Sequence, residues 1–88
     1  MANQTRIVND WKLAATSILD VRPELAEGGE PFVRILETAS GIERGQSLLI
    51  IAPFEPAPLY DVLDQRGFSH ATEHVGADEW IVRFTKER

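Results

Sequence analysis

LLIIAPFEPAPLYDVLDQRGF, running from Leu48 to Phe68, joins five successive apolar residues to a loop with three prolines and a short amphipathic segment. An unbroken apolar run such as Leu48–Ala52 suits a strand buried on both faces, so Ser47–Ala52 is predicted to be a central strand. Pro53, Pro56 and Pro58 then remove backbone donors and stiffen the corner. Pro58 is expected to open a helix, because the residue before a proline, here Ala57, is pushed away from helical angles. Leu59, Val62 and Leu63 supply its apolar stripe, and Gly67 supplies its stop.

Upstream, Ser17–Arg22 alternates Leu19 and Val21 with Asp20 and Arg22, as a strand with one wetter face does. Pro23 should end that ladder, and Leu25–Glu30, with Gly28-Gly29, reads as a loop. The next helix is the plainest in the chain. Pro31 fits its first position, and Phe32, Ile35, Leu36 and Ala39 fall at i, i+3, i+4 and i+7. Gly41 is expected to end it in a left-handed conformation, with Ile42 folding back. Downstream, 68–75 and 79–86 read as a hairpin around Gly76-Ala77-Asp78. In its second strand Trp80, Val82 and Phe84 face one way and Ile81, Arg83 and Thr85 the other.

The expected order is β-α-β-α-β-β. That makes an α/β two-layer sandwich: a mixed four-stranded sheet with two helices on one face and right-handed crossovers. Residues 17–88 form the single domain. Residues 1–16 form an N-terminal arm, either a turn starting near Trp11 or a short extended segment.

Composition removes several functions. The 88 residues carry a formal net charge of −5 and a pI near 4.9, and the nine basic residues are scattered. Such a surface repels phosphate backbones and anionic membranes, so neither nucleic acid nor membrane is expected as a partner. There is no cysteine, which excludes disulfides, thiolate metal sites and a cysteine nucleophile. No apolar run approaches the ~20 residues that cross a bilayer, and the N-terminus lacks the apolar core of a secretory signal. A cytoplasmic, bacterial-type protein is the expectation.

The element order, the Leu-Asp-x-Arg opening at Leu19–Arg22 and Glu30-Pro31 ahead of the first long helix together resemble the TusA/SirA-like sulfur-carrier fold. The likeness spans about residues 17 to 86. In that family a Cys-Pro-x-Pro motif begins the first helix, and its cysteine carries a persulfide. Here the matching stretch is Gly28-Gly29-Glu30-Pro31: Pro31 keeps the second proline, Gly28 stands at the cysteine and Gly29 at the first proline. A helix N-terminus stabilises a thiolate, but this chain has no thiol, so sulfur relay by that mechanism is excluded. The APFEPAPLY motif (Ala52–Tyr60), Arg66-Gly67-Phe68 and the WIVRF of Trp80–Phe84 resemble a cysteine-less branch. Its members are small bacterial domains of unknown function, some found with hemerythrin-like or denitrification-related proteins. The resemblance implies no activity.

Two places are candidate binding sites. The first is the braced loop Pro53-Phe54-Glu55-Pro56, with Tyr60 just inside the following helix. It sits at the carboxyl end of a central strand, where α/β sheets place ligands, and its prolines reduce the entropy lost in holding a pose. The alternative is that the prolines only shape the corner while Phe54 packs inward. The second is Asp20, Arg22 and Glu30, expected to gather near the start of the first long helix, or else to form a structural ion pair. His70 and His74 share a strand face but stand ~13 Å apart at ~3.3 Å per residue, too far to chelate one zinc through bonds of ~2 Å. No metal or other cofactor is expected. No serine lies in a Gly-x-Ser-x-Gly elbow, and no catalytic residue is assigned.

The residues therefore point to a small non-catalytic binding or regulatory module, partnered by another protein or a small ligand. One rival is an acid–base enzyme using Glu55, Asp61 or Asp20. Another is an accessory subunit, or a homodimer, acting through the helix-free face of the sheet, which Trp11 and Leu13 could otherwise cover.

Overall fold

The computed structural model describes residues 15–88, so the expectations for the arm around Trp11 and Leu13 lie outside the described residues. Four strands form one mixed sheet: β1 (Ser17–Asp20), β2 (Ser47–Ala52), β3 (Phe68–Gly76) and β4 (Glu79–Lys86). Their spatial order is β1-β2-β4-β3. β1 runs parallel to β2, with Ser17 beside Leu48 and Asp20 beside Ile51. β4 lies antiparallel between β2 and β3. Thr16 extends the first pairing, its amide donating to the Ser47 carbonyl at 2.8 Å.

Three helices are described, one more than the sequence pattern predicted: α1 (Arg22–Ala26), α2 (Phe32–Ser40) and α3 (Pro58–Asp64). The added helix α1 replaces the expected end of the first strand and the start of the following loop. Pro23 sits in its first turn and starts a helix instead of stopping a strand. The glycine pair closes it. The Gly28 amide donates to the Leu25 carbonyl (3.1 Å) and the Gly29 amide to the Glu24 carbonyl (2.8 Å), while Gly28 has φ +82°. This is the Schellman arrangement, which needs a left-handed residue just past the helix. Gly29 is needed as well, since a Cβ there would stand 3.0 Å from the Glu24 carbonyl oxygen.

Two smaller expectations are also corrected. Gly41 is right-handed (φ −91°), and α2 stops through tight bonds from Gly41 to Thr38 and from Ile42 to Ala39. Ala57 is helical (φ −55°, ψ −36°) although Pro58 follows it. The bonds from Leu59 to Pro56 and from Tyr60 to Ala57 draw the turn tight enough to hold it there.

All six residues of β2 are buried, as expected of a central strand. Leu48, Ile50 and Ala52 of β2 and Val82 and Phe84 of β4 face the helices. They form one core with Ile35 and Ala39 of α2 and with Leu59 and Leu63 of α3. Val21, Ile42 and Phe68 complete it, with Leu25 of α1 packed against its edge. The opposite face holds a smaller cluster of Leu49, Ile51 and Ile81, with Ala15 against it. These three side chains are at most 5% exposed, whereas Ile18, beside Leu49 in register, is 45% exposed.

Candidate functional site

Both candidate regions lie at the end of the sheet where β1 and β2 finish, and a pocket of about 230 Å³ opens there. Val21 and Leu25, from the end of β1 and from α1, form one wall. Pro31, Phe32 and Ile35 of α2 and its approach form a second, and Phe54, Pro56, Pro58 and Leu59 close the third. Ile50 and Ala52 of β2 make the floor. Glu30 is the one charged residue among those lining it, and its Oε1 accepts the Phe32 amide at 3.0 Å, holding the rim at the start of α2.

The rim is unusually greasy. Phe54 is 53% exposed, so it does not pack inward as a core residue, and Phe32, expected in the buried stripe of α2, is 38% exposed. Among the described residues, Phe32, Val33 and Phe54 are three of the five large apolar side chains that remain exposed. They sit on the two segments that frame the pocket. Ordinary surfaces scatter such residues singly, and clustering around a concavity marks a contact site.

The other candidates fall into two separate groups. Asp20 and Arg22 form a bidentate pair, Nε to Oδ1 at 3.0 Å and Nη2 to Oδ2 at 2.9 Å. Nη1 of Arg22 lies 3.9 Å from Glu79 of β4. The guanidinium is held above the ordinary arginine value, first by its hydrogen bond to Asp20 and then, against slight desolvation, by the charges of Asp20, Glu79 and Asp78. Neither Asp20 nor Arg22 lines the pocket. Glu30 therefore does not join them, and the expected gathering of the three is replaced by a tie from the end of β1 and the start of α1 to β4.

Glu55 and Tyr60 face away from the pocket, on the side of β3. The Tyr60 hydroxyl donates to Glu55 Oε2 at 3.0 Å and lies 2.6 Å from Thr72 Oγ1. Because a phenol has one proton, Thr72 donates to Tyr60 while Tyr60 donates to Glu55. The Tyr60 ring stacks on His70 (centroids 3.9 Å apart, planes 7° apart). A second stack, His74 on Trp80, stands 4.0 Å apart further along the hairpin. Each histidine thus engages a different aromatic ring along one face of an edge strand. The described residues gather no group of three or more metal-ligating side chains. Pro53 is half-buried at the bend and does not line the pocket.

The Tyr60 phenol is pushed up by burial, and the hydrogen bond and charge of Glu55 push it further, while Thr72 works the other way. Tyr60 is the chain's single tyrosine, so tyrosinate absorbance reports it alone. Its titration is expected to centre above the ordinary value of about 10. Glu55→Gln should bring the midpoint down. The folded protein holds this proton more tightly than the unfolded chain does. The contribution to stability is therefore complete below the ordinary tyrosine value and is lost as pH rises through the higher folded one. A midpoint at or below the ordinary value, unmoved by Glu55→Gln, would break the Glu55–Tyr60 link.

Val21, Leu25, Phe32, Ile35 and Leu59 belong to the pocket although none had been singled out for binding. The signal available for Val21 and Leu25 was the Pro23…Gly28-Gly29 bracket of α1.

The fold is that of a small α/β domain, a mixed four-stranded sheet with three helices, with an apolar pocket at the carboxyl ends of its parallel strands. The chain belongs to the uncharacterized conserved protein family DUF2249, whose profile matches residues 18–86. No curated protein and no solved structure matches the chain. Among the described residues no helix is long and apolar enough to cross a membrane.

Proposed function

We propose that this domain is a non-catalytic binding or regulatory module, built on a sulfur-carrier-like fold without the carrier cysteine, and that its working site is the pocket between the approaches to α2 and α3. The observation that carries this reading is the apolar concavity rimmed by exposed Phe32 and Phe54. Holding two phenylalanines in water next to an open hollow is unfavourable unless a ligand covers them. The resemblance fits: Gly28 and Gly29, standing where the carrier fold has its cysteine and first proline, close α1 and lead into the Glu30-Pro31 wall of the hollow. Among its lining residues there is no serine, threonine, lysine or histidine, and the Glu30 carboxylate is tied to the Phe32 amide. Glu55 and Tyr60, which could move protons, are bonded to each other outside it. Its volume of about 230 Å³ falls below the roughly 300–1,000 Å³ of sites for drug-sized ligands, so it suits one large apolar group.

The test uses small probes and residue-resolved NMR. Indole and N-acetyl-tryptophan amide are expected to shift the amides of Phe32, Ile35, Phe54 and Leu59 in a saturable way. Shifts confined to β3 and the helix-free face, or none at millimolar probe, would defeat the assignment.

A further inference from the structure

Charge around the pocket is as one-sided as its lining is apolar. From residue 27 to 33 and from 52 to 61, the two segments that frame it, the chain carries Glu27, Glu30, Glu55 and Asp61 and no lysine or arginine. The basic residues that flank the first of these segments are already engaged. Arg22 is held by Asp20, and Arg34 is bonded to Glu24. The whole chain adds a net −5. Glu30 lines the hollow while Glu55 turns away to Tyr60. An incoming anion therefore meets repulsion at the α2 side of the opening, whereas a cation close to an apolar group meets attraction as the apolar group enters.

We infer that the pocket takes a segment of a protein partner in which a large apolar side chain, aromatic or branched, stands beside lysine or arginine, with Glu30 receiving the cation. This rests on the pocket being a binding site and adds the class of ligand. Glu30 is placed for the task because it lines the hollow and is exposed, while its Oε1 is fixed by the Phe32 amide. That bond orients the carboxylate before the ligand arrives, so less side-chain entropy is lost on contact. The pocket volume fits one anchor and no more, and the affinity is then set by the anchor while the flanking charge sets which partners are accepted.

Two short blocked peptides test this, identical except that tryptophan is followed by two lysines in one and by two glutamates in the other. With the full chain at low ionic strength, titration followed at the Phe32, Phe54 and Leu59 amides is expected to give the lysine peptide an affinity about tenfold or more above the glutamate peptide. Added salt should shrink that ratio. Glu30→Gln keeps the oxygen that caps the Phe32 amide and removes the charge. It is expected to bring the ratio to within about threefold. Equal affinities for the two peptides, or a ratio that survives Glu30→Gln, would overturn the inference and leave the pocket standing. If neither the peptides nor the neutral probe reaches the pocket amides, the binding site itself falls.

Discussion

Phe84→Ala is expected to cost roughly 3–5 kcal/mol of stability, from lost transfer energy and the cavity left behind. Phe84 is completely buried at the centre of the sheet, beside Leu48 in register and under the Tyr60 and His70 rings at 6.3 and 6.1 Å. Every neighbour is fixed by strand pairing or by another core contact, so the site has little room to collapse. A domain of this size holds only about 5–15 kcal/mol in total. The variant should therefore lose a large share of its unfolding midpoint in urea and melt tens of degrees lower, at roughly 4–8 °C per kcal/mol. Its effect should also reach Tyr60, since the Tyr60–His70 stack rests against the same ring. Val33→Ala, on a side chain 62% exposed, is the control and should change stability by less than about 0.5 kcal/mol. An unmoved midpoint for Phe84→Ala would mean that the helix-facing side of β4 is misassigned.

Phe54→Ala is expected to do the opposite: little to stability, much to binding. Its ring is half in solvent, so folding gains little from it, but it forms part of the pocket rim. An aromatic anchor at the centre of a contact is worth about 2 kcal/mol or more, or about thirtyfold in affinity. The variant should melt within a few degrees of the parent while losing most of its affinity for N-acetyl-tryptophan amide and for the lysine peptide. The two outcomes separate presentation from packing. A stability loss like that of Phe84→Ala, with probe binding intact, would put Phe54 in the core and remove it from the site.

The parts legible in the sequence were those in which side-chain pattern and backbone path agree. Leu48–Ala52 has one reading, a buried strand, because five apolar residues in a row leave no wet face. Phe32, Ile35, Leu36 and Ala39 mark a helix for the same reason, though the pattern could not tell that Phe32, in its first turn, lines the pocket and meets solvent. Helix α1 was missed because five residues are too short for a periodic stripe, and because proline ends strands as readily as it begins helices. Its glycine pair was the better sign. Within the site, the loop from Pro53 to Pro56 follows neither a strand nor a helix period. Nothing local therefore told that Phe54 and Pro56 turn to the hollow while Glu55 turns to Tyr60. The pairing of His70 with Tyr60 and of His74 with Trp80 was equally hidden, since it depends on the register of the hairpin and on where α3 comes to rest.

The strand order has a consequence for how the domain comes into being. Its last strand in sequence, β4, is the one inserted between β2 and β3, so β3 has no partner and β2 has only β1 until residues 79–86 exist. In the interval before β4 has emerged and folded, one edge of Leu48–Ala52 stands unpaired, β1 covering only the other. That interval is when strands associate with the wrong chain. The closing contacts between β2 and β4 join residues distant in sequence, such as Leu48 with Phe84. Such distant pairings make the sheet slow to complete and cooperative once complete. Chains stopped before β4 should accordingly aggregate in the cell instead of persisting as a smaller folded unit.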